Sequence, residues 1–373
     1  MSALATEVCV IGGGLAGAST ALHLARRSVP VVLLEKGLAG AQASGVNFGG
    51  VRQNGRHLAE VPLAMRSRRE IWDNLPALIG VDGEFTVTGH LRLARTEADA
   101  RVLETFSAEA AKLGLATDMV RGQALRERWP WLSGVPVAGC FCPNDGHANP
   151  RLVAPAFARA ARAACAEVRE GEEASAIERD GAGFRVATRS GLELKARVLV
   201  NAAGAWGAGL AARFGEPVTM HTIAPQMIVT EPAPHRVAPV LGIVGGAIYL
   251  RQIARGNVIF GGGDGIADTA TTRHHVVPDA TIDAAAVAHE LIPHLRHLMI
   301  IRVWTGIEGE TDDLIPVIGA SRTTPGLFHA FGFSGHGFQL GPMAGKILAE
   351  LILDGATPSP IAPFAIGRFA PRS

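Results

Sequence analysis

The sequence has 373 residues, 48% of them hydrophobic and 18% charged, which is enough for two folded lobes with their own cores. Its 35 basic and 34 acidic residues leave a net charge of +1, which excludes nucleic-acid binding driven by overall charge. The four cysteines have no zinc-type spacing and make no disulfide framework, so we expect a reducing, cytoplasmic location and no metal site.

The start of the sequence and its apolar stretches predict no signal peptide and no membrane segment. Met1–Thr6 lacks the basic region and long apolar run of a signal peptide. No apolar stretch reaches about 18 residues without a charge or a Pro/Gly break, so we expect no transmembrane helix.

The first elements predict a β–α–β unit. Glu7–Ile11 is a short apolar run typical of a buried parallel strand, Ala18–Arg27 is an alanine-rich helical stretch, and Pro30–Leu34 is a second buried strand followed by Glu35. Between the first strand and the helix, the run Gly12-Gly13-Gly14-Leu15-Ala16-Gly17 fits G-x-G-x-x-G. This spacing within such a unit is the dinucleotide-binding fingerprint.

Each part of this fingerprint has a physical role. Gly12 permits the tight turn, Gly14 lets the backbone approach a pyrophosphate, and Gly17 allows close packing of helix on strand. The helix N-terminus offers free N–H groups to phosphates. Glu35, at the end of the second strand, is placed to accept hydrogen bonds from ribose hydroxyls.

The following elements alternate between helices and strands. The pattern predicts strands in Val81–Ala94, a helix over Glu97–Leu113, a helix over Arg151–Cys165 opened by Pro150 and capped by Asn149, and strands in Ala174–Glu178, Phe184–Thr188 and Val198–Asn201. Val218–Phe260, rich in Val, Ile and Pro, is typical of an antiparallel sheet. A glycine-rich segment, Gly332–Gly341, then leads into a helix over Met343–Leu353.

Three glycine-rich segments far apart in the chain favour FAD over NAD. Ala43–Val51, Ala202–Gly207 and Gly332–Gly341 all suit close approach of backbone to a ligand. NAD needs only the first β–α–β unit and a substrate site, whereas the longer FAD needs further loops around its ring system.

Several of these motifs together resemble the glycine oxidase/sarcosine oxidase (D-amino-acid oxidase-like) family of FAD-dependent oxidoreductases. The resemblance spans nearly the whole chain and is carried by the N-terminal unit and by the segments 43–50, 145–150, 201–206, 304–306, 313–319 and 332–338. It implies a mixed α/β fold, in which a Rossmann-type FAD-binding lobe is interleaved with an antiparallel-sheet substrate lobe. On this basis we expect an FAD-binding domain over 1–80, 145–215 and 305–373, and a substrate-binding domain over 81–144 and 216–304.

The resemblance also implies which residues contact FAD. Glu35 and Lys36 flank the ribose, and Ala174 contacts adenine through its backbone. Ser44 and Asn47–Gly49 line the pyrophosphate and ring, and Gly335–Gln339 approaches the pyrimidine end of the flavin. The full set implied is Gly12, Gly14, Leu15, Ala16, Gly17, Glu35, Lys36, Ser44, Asn47, Phe48, Gly49, Ala174, Ala203, Gly204, Trp206, Gly335, His336, Gly337, Phe338 and Gln339.

The implied reaction is oxidation of the C–N bond of an amine, D-amino acid or imino acid, with hydride transfer from the adjacent carbon to flavin N5. The candidate catalytic residues are Arg52, Tyr249, Arg251, Glu308 and His336. Either arginine is a candidate clamp for a substrate carboxylate or a structural residue, and His336 either contacts the flavin or only packs.

Departures from the family pattern refine these expectations. Covalent sarcosine oxidases carry a cysteine near the position of Gly306, and none of the four cysteines lies there, so the flavin should be noncovalent. Gln339 occupies the position at which those enzymes have a lysine that binds the substrate carboxylate. Glu308 lies near the sequence position at which glycine oxidase has an arginine that clamps the substrate carboxylate. A substrate with a second cationic group, or a carboxylate site elsewhere, would fit this exchange.

The electron acceptor is open between a quinone, a partner subunit and O₂. Ile259 or its neighbours stand where covalent sarcosine oxidases place an oxygen-activating lysine, which favours a dehydrogenase, although Arg52 or His336 could supply the charge. Two alternatives remain: a 2-hydroxy acid oxidoreductase, and an FAD-binding subunit that is inactive outside a larger homo- or hetero-oligomeric complex. Opine- or hydroxyproline-like substrates are compatible with oxidation of a C–N bond.

Overall fold

The computed structural model describes residues 4–370. Residues 1–3 and 371–373 lie outside the described part, and with them half of the Met1–Thr6 segment and the last three residues of the expected 305–373 segment.

The strands are short and spread over the whole described chain. In chain order they are β1 (Leu4–Ile11), β2 (Val31–Glu35), β3 (Gly50–Val51), β4 (Thr86–Val87), β5 (His90–Ala94), β6 (Asp118–Arg121), β7 (Ala138–Cys142), β8 (Gly146–His147), β9 (Glu167–Glu170), β10 (Ala174–Asp180), β11 (Gly183–Thr188), β12 (Glu193–Asn201), β13 (Met220–Ile223), β14 (Pro225–Pro232), β15 (Val240–Ile243), β16 (Tyr249–Gln252), β17 (Asn257–Asp264), β18 (Ile266–Asp268), β19 (Arg273–His275), β20 (Ile300–Trp304), β21 (Glu308–Thr311), β22 (Val317–Ala320) and β23 (Leu327–Phe331).

The helices alternate with these strands. In chain order they are α1 (Leu15–Ala25), α2 (Ala43–Val46), α3 (Val61–Glu70), α4 (Leu75–Ile79), α5 (Glu97–Lys112), α6 (Gly122–Arg128), α7 (Pro150–Ala163), α8 (Gly207–Arg213), α9 (Pro278–Leu291) and α10 (Gly337–Asp354). No helix within residues 4–370 combines the length and the apolar character that crossing a membrane requires.

The first large sheet has a parallel centre. Its strands follow the order β10-β11-β12-β1-β2-β9, with β23 parallel to the end of β12 and β22 antiparallel to β23. The second half of β1 and most of β2 are apolar and buried on both faces, as expected of parallel strands. One face packs in a cluster with α1, α7 and α10, and the other packs in a cluster with residues of β10, β11 and β12. Glycines at 341 and 345 bring α10 onto α1, because a Cβ at Gly345 would lie 2.5 Å from the Ala16 carbonyl oxygen.

The second large sheet is mostly antiparallel, in the order β20-β14-β17-β16-β15-β5-β7-β6. Its apolar face packs against α9 in a separate hydrophobic cluster. The small sheet β3-β8-β4 is formed where the chain crosses between the two large sheets. Strands β3 and β4 lie between β2 and β5 in the chain, and β8 lies between β7 and β9. The chain therefore passes between the two sheets several times, as the mixed α/β expectation requires.

Most expected elements form within a few residues of their expected bounds. The expected cap is present, since the Asn149 side chain accepts a hydrogen bond from the N–H of Arg151 at the start of α7. The expectation that the last helix begins at Met343 is wrong, because α10 begins at Gly337. The glycines of this segment resemble a loop in sequence, but their lack of side chains is what lets the first turns of the helix pack closely.

Candidate active site

A cavity of about 870 Å³ lies between the two sheets and reaches from the N-terminus of α1 to the N-terminus of α10. Its walls come from the first sheet, from the segment between β2 and β3, and from β14, β16 and β21. This volume is near the upper end of ordinary ligand pockets, and glycines and apolar side chains dominate the lining. It is therefore the candidate site for the expected cofactor and substrate.

The glycine turn shapes the first end of the cavity. Gly12 has φ +105°, and a Cβ there would lie 2.4 Å from the carbonyl oxygen of Ala202, so no other residue fits this turn. Gly14 is the N-cap of α1 and lines the cavity together with Leu15 and Ala16. The free N–H groups and the positive dipole end of α1 thus face the cavity, which suits a pyrophosphate. Gly17 lies outside the lining and packs against Gly12 and Ala202, the packing role expected for it.

Glu35 closes the nucleotide end at the carboxyl end of β2. Its Oε2 accepts a hydrogen bond from the N–H of Gly13 at 2.7 Å, and its Oε1 accepts one from Gly37 at 2.7 Å. An ionised carboxylate has about four acceptor positions, so two remain for ribose hydroxyls. The side chain is thus fixed in place and still able to accept from a nucleotide.

Lys36, Trp206 and Ala174 form the far wall of this end, as the family resemblance implies. The Lys36 ammonium lies 3.0 Å from the centre of the Trp206 ring, a cation–π contact. The Trp206 indole N–H donates to the carbonyl of Thr269 at 2.9 Å, which fixes the ring. Ala203 and Gly204 line the cavity beside it.

The segment from Ser44 to Gly49 forms one side of the middle of the cavity. The Ser44 hydroxyl oxygen accepts from the N–H of Leu15 at 3.0 Å, which fastens this segment to the start of α1. The Asn47 amide donates to the carbonyls of Ala43 and Ser44 and accepts from the N–H of Gly49 at 2.7 Å. Phe48 lines the cavity, and its ring meets the Tyr249 ring edge-on at 4.8 Å between centres.

The segment Gly335–Phe338 lines the cavity where α10 begins. Gln339 does not: it is fully buried and lies outside the lining. Its amide oxygen accepts from the Arg52 N–H at 3.2 Å and from the Arg56 guanidinium at 2.9 Å. Gln339 therefore does not face the cofactor site as expected. The first turn of α10, which begins at Gly337, directs its side chain into the protein interior.

Arg52, Tyr249 and Glu308 line the cavity near the start of α10, where Arg52 contacts Gln339 and Glu308 contacts Gly335. Both Arg52 and Glu308 are close enough to Tyr249 to act on its pKa, which burial and Glu308 raise and Arg52 lowers. The strand partner of Tyr249 is Gly261, where a Cβ would lie 2.4 Å from the tyrosine ring. Asp145 fixes the chain after Arg52, because its buried carboxylate accepts from the N–H groups of the next two residues at 2.8 and 2.9 Å.

Glu308 has an unusual environment for a carboxyl group. Its Oε1 accepts from the N–H of Gly335 at 2.6 Å. Burial raises the pKa of Glu308 to about 7, and Glu310 and Asp264 add to this against the hydrogen bond from Gly335. The group therefore changes its charge near neutral pH.

Arg251 lies outside this cavity, which corrects its expected place beside Arg52. Phe48 separates the two sites: its ring meets Tyr249 on the cavity side, while the Arg251 guanidinium lies 5.4 Å from its centre. Arg251 donates to the Ala148 carbonyl at 2.8 Å and contacts Nδ1 of His147 at 2.9 Å. It lines a second cavity of about 360 Å³ together with Ile259, its partner across β16 and β17.

His336 has a partner that sequence reasoning missed. Glu60 is fully buried at the start of α3, and its carboxylate contacts Nδ1 of His336 at 2.8 to 3.0 Å. A glutamate within the apolar run Leu58–Leu63 is a weak signal, since a surface position explains it equally well. Met227 and Glu310 also line the cavity without having been expected there.

Comparisons with known proteins agree with this geometry. Residues 7–351 match the sequence profile of the family described as FAD dependent oxidoreductase. The chain is 29% identical over 371 residues to glycine oxidase of Geobacillus kaustophilus, covering 97% of each, and 27% identical over 377 residues to an opine oxidase subunit of Rhizobium meliloti, again 97% of each. The crystal structure of L-proline dehydrogenase from P. horikoshii superposes with a TM-score of 0.90 at 28% identity, covering 99% of this chain and 98% of that one.

The profile match covers most of the chain, and the glycine turn, Glu35 and the three glycine-rich segments form one continuous cavity suited to FAD. The chain belongs to the family of FAD-dependent oxidoreductases and binds FAD as its cofactor.

Proposed function

We propose that this protein oxidises the C–N bond of a small amino acid or imino acid. The observation that carries the proposal is the convergence of Arg52, Tyr249 and Glu308 in the cavity beside the start of α10. Relatives named as glycine oxidase, opine oxidase and L-proline dehydrogenase support the same substrate class. When bound, FAD supplies the two-electron acceptor for this oxidation.

Arg52 is the proposed clamp for the substrate carboxylate. Burial lowers the pKa of its guanidinium, but arginine keeps its charge at neutral pH. Its only hydrogen bond from the guanidinium among the described residues is to the Asn54 carbonyl at 3.3 Å, so most of its donors are free for a ligand. A guanidinium matches a carboxylate in geometry through two parallel hydrogen bonds.

Glu308 is the proposed site for a second polar or cationic group of the substrate. An ionised carboxylate there repels a substrate carboxylate and attracts a cation. An opine-like or hydroxyproline-like substrate, which carries polar groups beyond the oxidised carbon, fits a site that holds both Arg52 and Glu308 near Tyr249.

We further propose a dehydrogenase that passes its electrons to a quinone or to a partner subunit. Lys36 is the only lysine of the described chain that lines either cavity, and it is held over Trp206 at the nucleotide end. By the family resemblance, Ile259 or a neighbour on β17 stands at the position of the oxygen-activating lysine of sarcosine oxidases, and β17 contains no lysine. The relative named as one subunit of an opine oxidase supports a partner subunit for this chain.

A panel of substrates tests the proposal on the purified yellow protein without oxygen. Amino, imino and 2-hydroxy acids are added singly, bleaching of the flavin is followed, and the products are identified. Reduction by an amino or imino acid, with release of ammonia or an amine, is expected. Reduction by 2-hydroxy acids alone would replace the proposal with C–OH oxidation. If none of them reduces the flavin until a copurifying partner protein is added, the chain is a subunit that is inactive alone.

A further inference from the structure

A buried carboxylate and an imidazole form a pair beside the cavity that none of the comparisons assigns. Glu60 has no exposed surface, and His336 Nδ1 lies 3.0 Å from its Oε1 and 2.8 Å from its Oε2. His336 itself lines the cavity and keeps 15% of its side-chain surface exposed. The pair therefore connects the interior of the protein with the space where the substrate is proposed to bind.

The ionised form of Glu60 is favoured by its surroundings. It precedes the first turn of α3, where the helix dipole stabilises a negative charge. Burial raises the pKa of Glu60, but His336 and Arg56 outweigh burial and leave this pKa below its usual value. A carboxylate can only accept hydrogen bonds, so the proton between the two groups must lie on Nδ1 of His336.

This arrangement fixes the tautomer of His336. With the proton on Nδ1, the other ring nitrogen, Nε2, carries a free lone pair. Among residues 4–370, Nε2 has no hydrogen-bond partner, and it is not enclosed by the protein. Because His336 lines the cavity, the free acceptor is accessible from the site that contains Arg52.

We propose that Glu60 and His336 act together to accept the proton of the substrate ammonium group, an inference that rests on the proposed amino-acid substrate. The N–H bond of the ammonium breaks, its electron pair stays on the substrate nitrogen, and the proton forms a new N–H bond with His336 Nε2. The imidazolium that results is stabilised by the carboxylate of Glu60, which stays ionised. Glu60 is thus a positioning residue, and His336 is the group that touches the substrate.

The charges around His336 determine when it accepts the proton. The charged groups that face it are Glu60, Arg56 and Arg52. Burial, Arg56 and Arg52 lower the pKa of His336 to about 4, whereas Glu60 acts in the opposite direction. A substrate carboxylate on Arg52 offsets the charge of one of the two cations that lower the pKa of His336.

The second buried Glu–His pair of the chain provides a matched control. Glu216 and His329 are buried and lie 3.1 Å apart, but neither lines the cavity. Glu216→Gln removes a carboxylate from a pair of the same kind, so it reports what losing such a pair does to stability alone.

The test measures the rate at which an amino or imino acid substrate reduces the flavin without oxygen, from pH 6 to 10. The proteins compared are the wild type, Glu60→Gln, His336→Gln and Glu216→Gln. Both cavity variants should be slower by about 10²-fold at pH 7, the lower end for a general base. Their rates should rise toward wild type as pH approaches the pKa of the substrate amine, because solution then supplies the neutral amine. Glu216→Gln should keep the wild-type pH profile.

A measurement without substrate keeps the inference independent of catalysis. In ¹⁵N-histidine-labelled holoenzyme, with His336 assigned by its loss in His336→Gln, the NMR signals should show a protonated Nδ1 and an unprotonated Nε2 at pH 7. The reverse tautomer overturns the inference, as do unchanged pH profiles in both cavity variants of an enzyme that oxidises an amine. If the wild type oxidises no amine, the proposed function is overturned, and the inference that depends on an amine substrate is overturned with it. The tautomer measurement distinguishes this case from failure of the Glu60–His336 pair itself.

Discussion

Glu308 accepts a hydrogen bond from the backbone N–H of Gly335 at 2.6 Å, and this contact joins β21 to the turn before α10. Both residues line the same cavity, one from each of two segments that are 27 residues apart. The contact places a carboxyl group with a pKa of about 7 beside the proposed substrate, so binding should depend on its charge.

The affinity for a simple carboxylate ligand should fall as pH rises through about 7. Glu308 has a pKa raised from its usual value to about 7, so it is neutral below this pH and negative above it, where it repels the ligand. Titration of the flavin absorbance with acetate at pH 5.5 to 8.5 measures the effect. Glu308→Gln should bind acetate with little dependence on pH, while the exposed Glu178→Gln should behave as wild type. A pH dependence that persists in Glu308→Gln would place the titrating group elsewhere.

Replacement of Arg52 should weaken binding of the substrate carboxylate. A hydrogen bond to a charged group contributes about 1.5–3 kcal/mol, so Arg52→Gln should raise the Kd for acetate roughly 10- to 150-fold. Arg52→Lys should recover part of this, because a lysine keeps the charge but not the paired donors. Arg255→Gln, a surface change at 77% side-chain exposure, is the control. Equal affinity in wild type and Arg52→Gln would show that the carboxylate lies elsewhere.

Substitution of Glu35 should weaken FAD binding without removing the fold. Its carboxylate accepts from Gly13 and Gly37 and has acceptor positions left for the ribose, so Glu35→Arg replaces an acceptor with a bulky cation. We expect the variant to lose FAD on dilution and gel filtration under conditions in which the wild type retains it. Circular dichroism distinguishes this loss from unfolding. Retention of FAD by a folded Glu35→Arg protein would contradict the position assigned to the ribose.

FAD should be released when the protein is precipitated with acid. None of the four cysteines lies among the described residues that line the cavity, and a Cβ at Gly306 would lie 2.4 Å from a methyl group of Val46. The supernatant should therefore contain free FAD, identified by chromatography. Yellow colour that stays in the washed precipitate would indicate a covalent bond to another residue, such as His336.

The nucleotide end of the site could be predicted from the sequence because its parts are close in the chain. Gly12, Gly14 and Glu35 belong to one β–α–β unit, and local strand and helix patterns are enough to place them. The turn at Gly12 also has a conformation that only glycine adopts easily, which makes it visible in the sequence.

The substrate end could be predicted only in part, because it depends on contacts between distant segments. Tyr249 and Arg251 stand two residues apart on β16 and were expected in one site, yet Phe48 from another segment separates them. Gln339 was misplaced because the start of α10 is hidden in a glycine-rich run. Glu60 was missed because burial of a carboxyl group depends on the tertiary packing of His336 against it.

Reduced enzyme should react slowly with oxygen. The first electron transfer to oxygen creates superoxide, which a nearby positive charge stabilises. By the family resemblance, Ile259 or a neighbour on β17 stands at the position of the oxygen-activating lysine, and β17 contains no lysine. The lysine that lines the main cavity, Lys36, contacts Trp206 at the nucleotide end. The enzyme is reduced without oxygen and mixed with aerated buffer, and reoxidation is followed by stopped flow. A quinone or dye offered in parallel should reoxidise it much faster.

Arg52→Gln shows whether the cation near the proposed substrate contributes to whatever oxygen reaction remains. Rapid reoxidation of the wild type by oxygen, with stoichiometric hydrogen peroxide, would show that the protein is an oxidase.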